Sequence, residues 1–599
     1  MDDQILSYYE RELTFIREMG AEFAKKYPKI AGRLLLEPEK CEDPHTERLI
    51  EAFALLSARI HKKIDDDFPE ITESLLNILY PHYLSPIPSM SVVKFDPGKK
   101  QIPTAGYRIE KNTILYSKPV FGSPCQFMTS YPVTLWPLEV VSANLRDPKL
   151  LVKNGQQALV IQIKSHPPLK LSELPLEKLR FFMRGPGQHV YHIYELLFNH
   201  VCHVECESTN KKGGIESISL TPDHIEPVGF NPDESVIPYP PRSLPGYLLL
   251  FEYFCFPEKF LFFDLTGLER LRNRDLNDTL EIWIYLDRVA KPNLLINEET
   301  FCLHTTPVVN LFKRVAEPIR VEQEKTEYQI IPDLRRTEAT EIFSVDSVTA
   351  SSVSAPGKLT EFKPFYSIYH HHLEDEEDHP LWFTQRRPSG RKDDEGTEVF
   401  LSFTDWDFDP TEPMVETITV HTTCTNRDLP SRLPFGDREG DFDVEKAAPV
   451  TRITCLLKPT PTRRPSLGGA LQWRLISHLA LNYMSIVQGG EEALKEILKL
   501  YDFDNSAVTR QQINGIESVQ YRPVTKRIGQ SLCGGVEVTI VLDETKFVGT
   551  GLFLFASVLE RFLGQYVSVN SFSRLVAKTI QRKDVLKKWP PRSGNRILL

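Results

Sequence analysis

The first ninety residues constrain the fold of this chain more than any other segment, because their pattern is helical and contains no residues typical of a catalytic site. Apolar or small side chains recur at alternating steps of three and four residues: Leu6, Tyr9, Leu13, Ile16, Gly20, Phe23 and Tyr27. An average spacing of 3.5 residues keeps one stripe of a helix facing a partner helix. A helix over Asp3–Lys26 would be about 36 Å long at 1.5 Å per residue. A helix of that length needs a large surface to lie against, so the pattern predicts an assembly element.

A second helix is predicted to begin at Asp43-Pro44, where Asp43 suits the N-cap and Pro44 the first helical position. Its apolar side chains share one face: Leu49, Phe53, Leu56, Ile60 and Ile64. The run Asp65–Asp67 that follows is compatible with a metal site, a charged interface or a solvated helix end. A calcium loop needs further oxygen ligands at fixed spacing, and none follow. A third helix is expected to end before Pro81.

Composition is that of an ordinary soluble globular protein, with 41% hydrophobic and 25% charged residues. The acidic N-terminus, without an apolar stretch behind it, predicts no targeting segment. The most apolar segment, Leu244–Phe263, is interrupted by Glu252 and Lys259, which predicts a buried pair of strands rather than a membrane span. Nine cysteines without a disulfide framework fit a reducing cytosol.

The net charge of −10 argues against general nucleic-acid binding, which requires a basic face. Basic residues do concentrate near the C-terminus: Arg574, Lys578, Arg582, Lys583, Lys587, Lys588, Arg592 and Arg596. We expect this cluster to meet an acidic protein neighbour or solvent.

Four segments of different character are predicted, and together they make an α+β multidomain chain. They are a helical assembly region at 1–90, β-rich domains at 91–330, a β-rich domain with an acidic, mobile loop at 331–445, and an α/β domain at 446–599. The β-rich assignment rests on frequent Pro and Gly and on period-two apolar patterns, as in Ser91–Phe95, Ala158–Lys164 and Asp278–Leu286. Within it, Gly106–Tyr116 is interpreted as a hairpin around Lys111-Asn112.

Three clusters contain residue types that could support metal binding or catalysis. His370, His371 and His372 with Glu374 and His379 could hold a metal. Consecutive histidines of a strand point to opposite faces, so only His370 and His372 could share one, which favours a surface run. His200-Val-Cys-His-Val-Glu-Cys206 could in principle bind zinc, yet a half-buried strand accounts for it. Cys424–Pro430 has the composition of a structured loop, with Arg427 free to make a charge-assisted bond. No phosphate, dinucleotide, HExxH or GxSxG motif is present.

Several long motifs resemble the TssF family, also called VasA or ImpG, a wedge component of the type VI secretion baseplate. They lie at 43–60, 65–70, 80–90, 227–230, 246–264, 306–312, 341–346, 424–430, 473–482, 553–562 and 566–572. The resemblance covers nearly the whole chain and departs at Tyr247–Phe251, where apolar residues replace an expected Arg and Gln.

This resemblance implies a fold like that of phage-baseplate wedges and a structural rather than enzymatic role, without cofactor or metal. It implies association with TssG, TssK, TssE and a second copy of the chain around a VgrG spike hub, where sheath and tube assembly begins. It also implies docking at the cytoplasmic face of the inner membrane. Two alternatives remain open: a wedge of a phage-like contractile particle, and a soluble hydrolase or metalloenzyme.

If the chain acts by assembly, apolar helix seams would supply most of the binding free energy. The predicted interface residues are Leu6, Tyr9, Leu13, Ile16, Phe23, Leu49, Phe53, Leu56 and Ile60. The same seams could instead pack against each other within one monomer.

Overall fold

The chain divides into two compact units, residues 1–77 with 466–479 and residues 78–465 with 480–599. The computed structural model describes residues 8, 9, 12, 13, 15, 16, 19, 26, 27, 29, 44–66, 73, 75–77, 79–98, 102–149, 152, 154–167, 169–210, 213–239, 245–272, 274, 276–321, 325–352, 359–365, 381–391, 394–404, 416–446, 448–464, 472, 475, 476, 490–504, 506–528, 531–565, 567 and 571–593. Helices occupy the described part of the first unit, and the second unit combines strands with helices. The predicted α+β class is therefore confirmed.

The longest element among the described residues of the first unit is the helix Pro44–Asp66. It begins at Pro44, as predicted, because proline lacks the N–H that has no partner at a helix start and its φ is already helical. The described residues of the predicted first helix, among them Tyr9, Leu13 and Ile16, are helical as well.

A closed barrel organises the second unit and draws its strands from distant parts of the sequence. In barrel order they are Met90–Pro97, Thr305–Val309, Gln126–Thr129, Ile114–Ser117, Phe442–Val444 and Val450–Cys455. Alternate residues such as Val93 and Phe95 fill the interior together with Phe127, because successive side chains of a strand point to opposite faces. The boundaries predicted at 330 and 445 thus fall between strands of a single barrel.

Two sheets are inserted in the sequence between the barrel strands Gln126–Thr129 and Thr305–Val309. A five-stranded sheet has the order Ile215–Leu220, Val201–Thr209, Thr279–Leu286, Gln157–Ser165 and Leu138–Arg146. A four-stranded sheet has the order Ile225–Pro227, Phe262–Leu265, Leu179–Met183 and Phe301–Cys302. Two helices accompany them, Gly187–Asn199 and Pro245–Cys255.

The hairpin predicted for Gly106–Tyr116 is wrong. Tyr107–Ile109 pairs with Val133–Leu135, whereas Ile114–Ser117 pairs with two barrel strands. The chain does turn at Asn112, which has φ +64°. However, the Asn112 N–H donates to the Thr129 carbonyl at 2.7 Å, so a barrel strand holds the turn. Local sequence signalled the turn but not the strand partners.

The strand pair predicted for Leu244–Phe263 is also wrong. The structure has the helix Pro245–Cys255 and then the strand Phe262–Leu265. A nearly continuous apolar run has neither the period of a helix nor that of a strand, so burial on all sides hides its conformation. Tyr247, Leu250 and Phe251 are all buried, which accounts for the apolar residues at the position where the family resemblance departs. Among the described residues, no helix has both the length and the apolar character needed to cross a membrane.

Two further sheets complete the second unit. The larger has the order Phe312–Val315, Glu416–Thr425, Glu341–Ser352, Leu359–Pro364, Leu381–Pro388, Thr397–Thr404 and Tyr328–Gln329, with Ile319–Arg320 paired to Glu416–Thr425. The C-terminal sheet has the order Ile516–Ile528, Ser531–Leu542, Phe572–Thr579 and Val585–Lys588, with Arg592–Ser593 paired to Phe572–Thr579. Further α-helices among the described residues of this unit are Gly490–Lys499, Ala507–Asn514 and Leu552–Gln565. The last of these connects two parallel strands of the C-terminal sheet.

Candidate protein-interface site

The helix Pro44–Asp66 exposes four large apolar side chains that the sequence had assigned to an interface. Leu49, Phe53, Leu56 and Ile60 are 70%, 62%, 55% and 58% exposed. Their spacing of i, i+4, i+7 and i+11 places them within about 60° of one another around the helix axis at 3.6 residues per turn. We call these four residues the apolar stripe.

The opposite side of this helix is packed through small residues. Ala54 and Ala58 are fully buried, and Ile50 is half-buried. An amphipathic surface helix normally turns its large apolar side chains inward and its polar ones outward. Here large apolar side chains face solvent, so the burial pattern of an ordinary surface helix is inverted.

The described residues of the first helix show a mixed pattern. Tyr9, Leu13 and Ile16 are helical and half-buried, while Leu6 and Phe23 lie outside the described residues. Sequence reasoning missed Phe15 and Met19, which are 58% and 52% exposed. These two are four residues apart and fall outside the 3.5-residue repeat, so only their exposure draws attention to them. Leu55, at 38% exposure, was missed for the same reason.

The apolar stripe has the geometry of a helix that inserts into a groove. Helices recognised in this way carry apolar anchors at i, i+3 or i+4, and i+7. Full burial of a Leu, Ile or Phe side chain contributes about 1.5–3 kcal/mol, so four anchors can supply several kcal/mol of association free energy. Contiguous exposed apolar patches occur where soluble proteins bind other proteins, ligands or membranes.

Two of the three clusters that the sequence proposed for chemistry lie among the described residues. His370–His372, Glu374 and His379 lie outside the described residues. His200 ends a helix instead of joining the following strand, and its Nδ1 is 2.9 Å from Asp287 Oδ1. Cys202 Sγ donates to the Tyr285 carbonyl at 3.3 Å. Within the described part of the chain, no three His, Cys, Asp or Glu side chains are grouped so as to hold a metal ion.

The segment Cys424–Pro430 forms a polar junction between the barrel and the larger sheet. Asn426 and Asn310 bond reciprocally, since the Asn426 N–H donates to Asn310 Oδ1 at 2.7 Å and Asn310 Nδ2 donates to Asn426 Oδ1 at 2.8 Å. The charge-assisted bond predicted for Arg427 is made with Asp394. Burial raises the pKa of the Cys424 thiol to about 12, which keeps it protonated and unreactive at neutral pH.

The comparisons with known proteins agree along the whole chain. A family model described as type VI secretion system, TssF, matches residues 1–596. Type VI secretion system component TssF1 of Pseudomonas aeruginosa is 34% identical, and the match covers 100% of both chains.

Two solved structures are similar in fold. A chain of the type VI secretion system TssK-TssF-TssG baseplate subcomplex, solved by cryo-electron microscopy, is 26% identical with a TM-score of 0.75, over 92% of this chain and 99% of that one. A chain of the baseplate complex from the type VI secretion system is 22% identical with a TM-score of 0.60, over 99% and 100%. The second similarity supports the fold alone.

Proposed function

This chain belongs to the TssF family of the type VI secretion system, and on that premise we propose that it is a structural subunit of the baseplate wedge. The observation that carries the proposal is the end-to-end similarity to TssF1, which spans the full length of both chains. Its relatives are baseplate components, so the chain is proposed to act through shape and contact rather than through a catalytic step.

The proposed partners are TssG and TssK, since a chain of the TssK-TssF-TssG subcomplex shares this fold. We assign the apolar stripe to a groove between helices of TssG, because its anchor spacing suits such a groove. Packing of the N-terminal helical region with a second copy of this chain is proposed as a further contact. Association with TssE and a VgrG hub, initiation of sheath and tube assembly, and docking at the cytoplasmic face of the inner membrane complete the proposal. These last elements are supported by the family resemblance.

Phe53→Asp is expected to weaken co-purification of TssG with the chain by about 30-fold or more, the equivalent of about 2 kcal/mol. The reason is that a carboxylate cannot enter an apolar groove without losing its hydration. Phe53 is 62% exposed in the isolated chain, so the substitution should leave the thermal unfolding temperature unchanged. The affinity can be measured with purified TssG and full-length chain.

Arg59→Glu provides a matched control on the same helix, since Arg59 is exposed and lies off the apolar stripe. It should bind TssG within about threefold of wild type, as expected for a surface charge at the rim of an interface. Unchanged binding by Phe53→Asp would contradict the assigned surface. Absence of TssG binding by the wild-type chain would contradict the proposed function itself.

A further inference from the structure

The basic residues near the C-terminus separate onto two sides of the C-terminal sheet. One group turns toward the packed helices of the second unit. Arg592 Nε donates to Glu560 Oε1 at 2.8 Å, Arg582 pairs with Glu195, and Lys587 Nζ lies 5.1 Å from the centre of the Phe553 ring. These cations serve internal packing.

The other group lies on the opposite face of the sheet around one carboxylate. Arg522, Glu537 and Arg574 occupy one row across three neighbouring strands. Glu537 Oε1 is 2.7 Å from Arg522 Nη2, and Glu537 Oε2 is 3.2 Å from Lys588 Nζ. Neighbouring strands are about 4.8 Å apart, so side chains of one row stand within reach of each other.

Strand alternation adds two more cations to this face. Lys526 lies four residues beyond Arg522 on the same strand, and Lys578 lies four residues beyond Arg574, both without a change of register. Side chains separated by an even number of residues share a face. Both lysines are exposed. We define the basic face as Arg522, Lys526, Arg574, Lys578 and Lys588 with Glu537.

One carboxylate cannot neutralise five cations. Burial alone raises the pKa of Glu537, but hydrogen bonds from Lys588 and Arg574 hold it below the ordinary value, so Glu537 stays ionised and orders the cations around it. The Arg522 and Lys588 side chains remain 68% and 50% exposed. The result is an ordered cluster of Arg522, Arg574 and Lys588 around Glu537 on a chain whose net charge is −10. Lys526 and Lys578 extend the positive charge about 13 Å to opposite sides of this cluster, because their two strands run in opposite directions.

We propose that the basic face docks an acidic segment of a protein partner, with carboxylates spaced to meet the rows of cations. A polyanion such as nucleic acid is disfavoured, because a surface much larger than this patch would have to approach a chain of net charge −10. The inference rests on the proposed function, because it assigns a second contact surface to the same baseplate subunit. The basic face differs from the apolar stripe in its position in the sequence and in its chemistry.

The proposal can be tested by zero-length carbodiimide coupling of the complex that this chain forms with TssK and TssG. The reagent joins amines only to carboxylates that are already in contact with them. We expect Lys526, Lys578 or Lys588 to couple to an Asp or Glu of another polypeptide, as identified by mass spectrometry. If the complex assembles but these lysines couple only within their own chain, the proposal is overturned while the proposed function stands.

The double variant Lys526→Glu/Lys578→Glu should weaken association with the coupled partner by tenfold or more at about 0.15 M salt, where charges separated by more than about 8 Å are screened. Wild-type association should itself weaken as salt is raised. Arg335→Glu/Arg336→Glu is the matched control, since both arginines are exposed and lie far from the basic face in the sequence. An equal loss in the control would overturn the assignment. The assignment would also be overturned if the wild-type chain bound a DNA duplex and the Lys526→Glu/Lys578→Glu variant did not.

Discussion

Lys259→Met is expected to destabilise the second unit by about 3–5 kcal/mol, because it removes one partner of a buried ion pair. Lys259 and Glu252 are each 1% exposed, and the ammonium contacts Glu252 Oε2. Glu252 Oε1 also accepts the N–H groups of Val236 at 2.7 Å and Ile237 at 3.0 Å. Without Lys259, a carboxylate would remain buried with its charge uncompensated. Urea denaturation followed by tryptophan fluorescence measures the loss.

The double variant Glu252→Gln/Lys259→Met separates the cost of charge from the cost of packing. Its glutamine side-chain oxygen can still accept the two backbone N–H groups, and no ionised group is left in the core. We expect the double variant to regain about half or more of the lost stability, as replaced buried ion pairs often do. If Lys259→Met alone costs less than about 1 kcal/mol, the pair is not the buried, mutually dependent contact described here.

Arg464→Met is expected to cost a similar amount, about 3–5 kcal/mol. Arg464 Nη2 lies 2.7 Å from Glu341 Oε2, and Arg464 Nη1 lies 3.1 Å from Asp428 Oδ1. Burial alone lowers the pKa of this guanidinium, but its bonds to Glu341 and Asp428 raise it above the ordinary value. The Glu341 side chain is fully buried and also accepts from the Thr397 N–H at 2.8 Å. Removing the cation would leave that carboxylate charged inside the junction.

Arg464→Met should also loosen the structure locally at the junction, in addition to lowering the overall stability. Arg464 follows the last barrel strand, and Glu341 begins a strand of the larger sheet, so the substitution should raise amide hydrogen exchange on both sides of the junction. Arg438→Met is the control, because Arg438 is exposed, and it should change stability by less than about 0.5 kcal/mol. Equal effects of the two substitutions would contradict a special role for the junction.

Much of the local structure could be predicted from the sequence. The helix start at Pro44 and the strands around Val93, Leu159 and Ile284 were all anticipated. Each carries its signal within a few residues, as a cap or as a regular apolar period. The failures, at Gly106–Tyr116 and Leu244–Phe263, occurred where the deciding contact came from a distant strand or where burial on all sides removed the period.

The parts of the fold that the sequence did not predict depend on pairing between distant segments. The barrel pairs Met90–Pro97 with Thr305–Val309 and with Val450–Cys455. The local sequence pattern of each strand does not indicate which strands it pairs with. The C-terminal basic cluster shows the same limit. Its charge was evident from composition, but only strand register and helix packing separated Arg592 and Lys587 from Arg574 and Lys588.

The sequence by itself determined which side chains share a face, because helix and strand periods are local properties of the backbone. It therefore identified Leu49, Phe53, Leu56 and Ile60 as one stripe of a helix. Only the tertiary structure decided that this stripe faces solvent while Ala54 and Ala58 are buried. Burial depends on atoms contributed by distant segments, and a period in one segment carries no information about which face those atoms will cover.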